Sequence, residues 1–401
     1  MGRFTQVCKL SADAPTVAVL APHWGGTDEV CWATRQVAGA LACSANIHVI
    51  TTQGKRPRQY QDGVFSVYEL ATADRASDRR RDLVLAALGG SFGDTTPNPP
   101  QNLGDFPSEE ASLRKLLVGG PADPWEPGGV HLTEIAPDLV VVADYRQVGT
   151  LRIIERSCAD VPLVLVPLAM DLASMALPVF RPMFERAGDV LVFTQSERDA
   201  SAALLGVDRV RFVGLPLAVN PSVGAEPEPH AGGDRDYLLV ILGKPFWPQG
   251  STAWADLLRM RFPARRVAVS ASDALVVYKP DSVVHESPGM KGASDLMRLM
   301  AWAYLTVDMR PGSLFARQSL QSLMYGTPIV VPEGSRAQEH AETGSGGLWF
   351  DGPGELVWCI EAMLDPEVHA ALGSQGGRYA HDRYGSTDSF VDRVGLVLSG
   401  G

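Results

Sequence analysis

Short apolar runs alternate with helical patterns along almost the whole chain, an alternation that predicts parallel sheets covered by helices. Thr16-Val-Ala-Val-Leu-Ala21 reads as a first buried strand, and Pro22-His-Trp-Gly-Gly26 as the turn after it. Thr27 or Asp28 can cap a helix on which Val30, Ala33, Val37 and Leu41 recur along one face. Further strands are predicted at 46–51, 64–70, 138–143, 161–166, 189–194 and 209–213. Residues 89–132 break the rhythm: they are rich in Gly and Pro, hold one candidate helix near 108–117, and read as an insertion or mobile loop region. Residues 221–235 have the composition of a linker, with proline, glycine and acid but no periodicity. A second series of strands then runs through 237–242, 266–270, 274–278, 304–308, 328–331 and 347–350. The expected fold is α/β, with two Rossmann-like, doubly wound domains facing across a cleft. They cover residues 1–220 and 236–385, and a helical segment at 386–401 is free to cross back to the first domain. Ligands of such sheets bind beyond the carboxyl ends of the strands.

Composition narrows the classes. At 401 residues, 45% hydrophobic and 20% charged, the chain is an ordinary globular one, and no apolar run reaches the ~18 residues needed to span a bilayer. The N-terminus shows no secretory pattern, and the five cysteines are scattered without a two-spaced pair, so a reduced, cytoplasmic protein without a zinc site is expected. A net charge of −11 argues against bulk nucleic-acid binding. Arg75, Arg79, Arg80 and Arg81 precede the apolar residues 83–88 and offer a peripheral contact with the inner face of a membrane. Aspartates at 74, 78 and 82 dilute that patch and favour a solvated helix start.

Residues 303–331 carry the most information: buried strand, loop, amphipathic helix, tight turn, second strand. Within them, Leu320-Gln-Ser-Leu-Met-Tyr-Gly-Thr-Pro-Ile-Val-Val331 resembles the donor-site segment of family-4 retaining glycosyltransferases of the GT-B type. Glu339 with Gly347-Leu-Trp-Phe350, then the helix from Glu355 and Asp365-Pro-Glu367, are similar to the elements that follow in that family. In the first half, Gly25-Gly26 and Phe193-Thr-Gln-Ser-Glu-Arg198 resemble its glycine pair and its "Val-x-x-Ser" step. The ordered set covers most of the chain.

The resemblance implies a hexosyl transferase that takes its sugar from a nucleotide diphosphate donor, retains configuration, and needs neither metal nor further cofactor. The acceptor and the oligomeric state stay open. It places Gly243, Lys244, Arg310, Gly312, Ser313, Leu314, Gln321, His285 and Glu339 at the donor, and Gly25, Gly26 and Ser196 toward the acceptor. Lys244, Ser313, Gln321 and His23 are the catalytic candidates. Physics supports part of this: a growing negative charge on the leaving diphosphate is stabilised by fixed cations and amides, with Lys244 first, Arg310 and Arg317 next, and Lys279 and Lys291 weaker. Ser313 is read at a helix start with Gln321 two turns on, both toward the cleft.

The departures are as informative. Ser313 and Gln321 stand where the family has two glutamates, Lys244 where it has an arginine, Gln249 where it has a lysine, and Leu168 near the place of a histidine. A degenerate GT-B protein that binds a ligand or partner without transfer is therefore the competing class, and another sugar-nucleotide reaction such as epimerisation a third. His23 beside Trp24 is either an acceptor or phosphate contact or a histidine packed under that indole. Asp234-Arg-Asp236 spells a metal-binding motif by chance composition at a strand start. Dinucleotide and Walker motifs are missing from the sequence.

Overall fold

The computed structural model describes residues 13–26, 28–54, 57–71, 128–168, 172–217, 237–242, 252–271, 274–279, 282–286, 293–310 and 313–399. The arginine cluster at 75–81, the candidate helix at 108–117, Thr27, the linker at 221–235, Asp234, Gly243, Lys244, Gln249, Lys291 and Gly312 lie outside them. The chain forms two compact units. Unit 1 runs to Gly214 and takes up the chain again from Asp388; unit 2 spans Leu215–Thr387.

Unit 1 is one eight-stranded sheet in the order β3-β4-β2-β1-β5-β6-β7-β8. Its strands are β1 (Thr16–Ala21), β2 (Asn46–Gly54), β3 (Arg58–Asp62), β4 (Phe65–Ala71), β5 (Leu139–Ala143), β6 (Leu163–Val166), β7 (Asp189–Val192) and β8 (Val210–Phe212). Its helices are α1 (Glu29–Leu41), α2 (Gly128–Ile135), α3 (Gly149–Ser157), α4 (Leu172–Met175), α5 (Arg181–Arg186) and α6 (Gln195–Leu205). Residues 17–21 and 139–143 are buried throughout, as strands covered on both faces must be. One strand of this unit escaped the sequence reading. β3 pairs antiparallel with β4 across Gly63, whose φ of +64° suits a two-residue hairpin. The last residues of the Gly/Pro-rich insertion, from Gly128, are helical in α2, because Leu132 packs into the unit 1 core.

Unit 2 has a seven-stranded sheet in the order β12-β11-β10-β9-β13-β14-β15. The strands are β9 (Tyr237–Leu242), β10 (Arg266–Ala271), β11 (Ala274–Lys279), β12 (Ser282–Glu286), β13 (Ala303–Asp308), β14 (Ile329–Pro332) and β15 (Gly347–Phe350). Its helices are α7 (Thr252–Arg261), α8 (Ala293–Trp302), α9 (Arg317–Met324), α10 (Arg336–Thr343), α11 (Pro353–Met363) and α12 (Pro366–Tyr384). Then α13 (Thr387–Gly395) belongs, from Asp388, with unit 1. Alternate residues of β9 feed two cores. Leu238 and Val240 pack with α7 and α11 on one face, and Leu239 and Ile241 pack with Leu299 and Met300 of α8 on the other. Here too the sheet is not all parallel: β10, β11 and β12 form an antiparallel meander. The two residues between β10 and β11 are too few for the dozen-residue crossover that a parallel neighbour requires. His285 and Lys279 lie on β12 and β11 of that meander.

Among the described residues, no helix is long and apolar enough to cross a membrane.

Candidate functional site

The parallel strands of each sheet reverse their order once: between β1 and β5 in unit 1, and between β9 and β13 in unit 2. Ligands of doubly wound sheets sit at the carboxyl ends of the strands beside such a reversal. In unit 2 that place begins at Asp308, which ends β13 opposite Ile241 of β9, and the Met309 N–H donates to the Ile241 carbonyl at 2.9 Å. Lys244 follows the end of β9 by two residues in the chain.

Arg310 lies back on Asp308. Its Nε donates to Oδ1 at 2.9 Å, a terminal nitrogen to Oδ2 at 2.7 Å, and its backbone N–H to Oδ1 at 3.2 Å. Ser319, on α9, adds a hydroxyl to Oδ2 at 2.7 Å. The Asp308 side chain is 1% exposed and that of Arg310 17%. The guanidinium fork that a free arginine would present to a diphosphate is engaged by its own strand end.

Unit 1 repeats the arrangement at the equivalent strand. Asp144, just past β5, receives Arg146 through Nε and a terminal nitrogen at 2.6–3.0 Å, and through its backbone N–H at 3.0 Å. An Asp-x-Arg therefore closes the strand across the reversal in both units. The sequence spells it at the two strand ends, 144–146 and 308–310, and reading those ends side by side would have found it.

Ser313 is placed otherwise than at a helix start. It precedes α9 by four residues, in a loop where Ser313, Leu314, Phe315 and Ala316 are all buried. Ala316 takes the N-cap position in a left-handed conformation (φ 47°, ψ 42°) with no side-chain cap. An L-residue there costs about 1–2 kcal/mol, so Ala316→Gly is expected to stabilise the protein by about 1 kcal/mol in urea unfolding, despite the greater freedom of glycine in the unfolded chain. The eight-residue spacing from Ser313 to Gln321 is thus part loop, part helix. Gln321 is half-buried, with Nε2 4.0 Å from the Met297 sulfur of α8.

The far end of α9 follows the sequence expectation. Gly326 has φ +68°, its N–H bonds to the Leu323 carbonyl, and the Thr327 N–H returns to Ser322 at 3.1 Å, a Schellman closure before Pro328. Glu339 lies half-buried on α10, and its neighbour His340 is fully buried. Burial holds the His340 imidazole below its usual pKa; Glu339 opposes that, and Arg336 and Arg383 reinforce it.

In unit 1 the β1–α1 turn is held from within. Gly25 has φ +88°, and a Cβ on Gly26 would meet the Asp28 carboxylate at 2.7 Å. Asp28 caps α1 by accepting from the Cys31 N–H at 2.9 Å, and the same oxygen lies 2.9 Å from His23 Nε2. Burial raises the Asp28 pKa, but the His23 and Cys31 hydrogen bonds outweigh it and leave the carboxyl below its ordinary value. Trp24 is buried against Phe65, donates to Asp62 at 2.8 Å and lies under Arg35. His23 is therefore bonded to the cap carboxylate.

Ser196 stands in the first turn of α6, whose start is a reciprocal cap that sequence reasoning missed. Thr194 accepts from the Glu197 N–H at 3.2 Å, while Glu197, fully buried, accepts from Phe193 N–H at 3.0 Å. The signal was the Thr-x-x-Glu spacing. Leu168 is buried with φ 51°.

No protein-family model matches the chain, and no curated protein matches it in sequence. Solved structures do match in shape. HepE from Anabaena in complex with UDP superposes with a TM-score of 0.62 at 14% identity, covering 96% of this chain and 100% of that one. Sucrose-phosphate synthase from Thermosynechococcus elongatus gives 0.58 at 12% identity over 96% and 98%. The lipopolysaccharide outer core galactosyltransferase WaaB gives 0.57 at 10% over 96% and 99%. The chain has the GT-B fold. That agreement spans both units, so the architecture implied by residues 303–331 holds for the chain as a whole.

Proposed function

We propose that the protein is a family-4-like glycosyltransferase. Unit 2 would hold a nucleotide diphosphate sugar at the carboxyl ends of β9 and β13, and unit 1 would bind the acceptor; transfer would retain configuration and use no metal or further cofactor. What carries the reading is the reversal of strand order between β9 and β13, with Lys244 two residues past β9. Structures of the same fold include HepE in complex with UDP-glucose, which supports a nucleotide-sugar donor for this chain as well.

The chemistry follows from charge. As the glycosidic bond breaks, negative charge grows on the leaving diphosphate, and a fixed ammonium lowers that barrier. Arg310, spent on Asp308, contributes less there than Lys244 does. Lys244→Ala is expected to weaken UDP binding about 10–100-fold, the scale of a lost charge-assisted hydrogen bond, read by calorimetric titration. Unaltered affinity would remove Lys244 from the site.

A second reading has its own observation. Ser313 is buried in the loop before α9 and too short to act as the glutamate that the family carries there, which favours a protein that binds the donor without transfer. Release of UDP from UDP-sugars, followed with broad acceptor sets, separates the two: turnover supports the transferase, and binding without turnover the non-catalytic protein.

A further inference from the structure

His340 is a buried, titratable side chain with no part in the chemistry above, yet its bonds run to the loop on which Ser313 stands. Its Nε2 lies 3.2 Å from the Phe315 carbonyl oxygen, and its Nδ1 lies 3.0 Å from the Tyr379 hydroxyl. The Tyr379 and Tyr384 hydroxyls are 3.4 Å apart, and the rings of Tyr379 and Tyr384 pack on the imidazole at 6.0 and 5.6 Å.

The geometry fixes the protons. A carbonyl oxygen only accepts, so Nε2 carries the hydrogen, and in the neutral ring Nδ1 accepts from Tyr379. Tyr379 can in turn accept from Tyr384. The Tyr384 carbonyl accepts from Leu217 N–H at 3.0 Å, so the relay ends beside the two points where the chain enters and leaves unit 2.

Phe315 is the residue before Ala316, which adopts the left-handed conformation without a side-chain cap. Its carbonyl shares a planar trans peptide with the Ala316 N–H, so a bond that holds the oxygen also fixes the direction of that N–H. Without it the peptide between 315 and 316 loses one of its holds, and the unfavourable Ala316 backbone relaxes more readily.

We propose that His340 is a positioning residue for donor binding, pinning the Phe315 carbonyl and with it the backbone of residues 313–316. The proposal rests on the donor-site reading of unit 2. It assigns the role to the hydrogen-bond donor at Nε2, not to the bulk of the ring.

Gln and Met have matched shapes, and only Gln can donate to Phe315. His340→Gln should keep UDP affinity within about threefold of the native protein, while His340→Met should lose about tenfold, the scale of one hydrogen bond. Amide hydrogen exchange over residues 314–318, without ligand, should be faster in His340→Met alone. Equal affinity and exchange in His340→Met and the native protein would overturn the proposal, and so would a Gln variant as impaired as the Met variant. Should His340→Met fail to fold, Tyr379→Phe keeps the ring and removes the hydroxyl that donates to Nδ1. It should shift affinity and exchange in the same direction by a smaller factor, and no shift would count against the relay. A native protein that binds neither UDP nor GDP sinks the donor reading, and the exchange comparison then decides by itself whether His340 holds the loop.

Discussion

Arg310→Ala is expected to lower stability by about 3–5 kcal/mol in urea unfolding, far more than removal of an ordinary surface arginine. The reason is what remains behind. The Asp308 carboxylate is 1% exposed, and without Arg310 its charge is left in a buried site with the Ser319 hydroxyl and the Arg310 N–H as its hydrogen-bond donors. Arg181→Ala is the contrast. Its ion pair with Glu185 joins side chains 73% and 58% exposed, and such pairs contribute about 0–1 kcal/mol. If the two variants unfold at the same urea concentration, Arg310 is not what stabilises the buried Asp308 charge. Lost nucleotide binding in Arg310→Ala would follow from lost folding, and for that reason Lys244 is the sharper probe of the donor site.

Gly376→Ala is expected to destabilise by about 1–3 kcal/mol or more, although alanine in a helix interior normally gains about 1 kcal/mol over glycine. A Cβ at this position of α12 would fall 2.6 Å from Leu323 Cδ2 and 2.7 Å from the Gly346 Cα. The leucine end can shift; the backbone of Gly346, just before β15, cannot. Gly373 shows the same constraint one turn earlier, where a Cβ would sit 2.5 Å from the Gly326 carbonyl oxygen. Small residues on α12 therefore let it lie directly against the end of α9 and its Schellman turn. Gly354→Ala, on α11 with open space around it, should instead gain stability, and thermal melting of the two variants side by side tests the packing. A Gly376→Ala protein as stable as the native one would mean that α9 and α12 are further apart.

What the sequence made legible depended on periodicity. Fully apolar runs such as 17–21 and 238–241 announced buried strands, and Gly326 before Thr327-Pro328 announced the end of α9. Antiparallel pairs were harder: β3 and β12 escaped the sequence reading, and β11 looks like any other strand, with only the short connection at 272–273 to exclude a crossover. The site was legible as segments and not as contacts. Ser313 and Gln321 share a plausible helical spacing, yet Ala316 turns left-handed between them and breaks it. Arg310 reads as a free cation until the buried Asp308 two residues earlier is seen to occupy it. His340 gave no signal at all, since its partners come from 25 and 39 residues away.

The central claim is that unit 2 binds a nucleotide diphosphate through the carboxyl ends of β9 and β13. Thermal melting of the native protein with UDP, GDP and their sugars tests it most directly. At a ligand concentration a hundred times its Kd, the account predicts a stabilisation of about 2.7 kcal/mol, a rise of several degrees, reduced at the same concentration in Lys244→Ala. An unchanged melting temperature with every one of these ligands would contradict it.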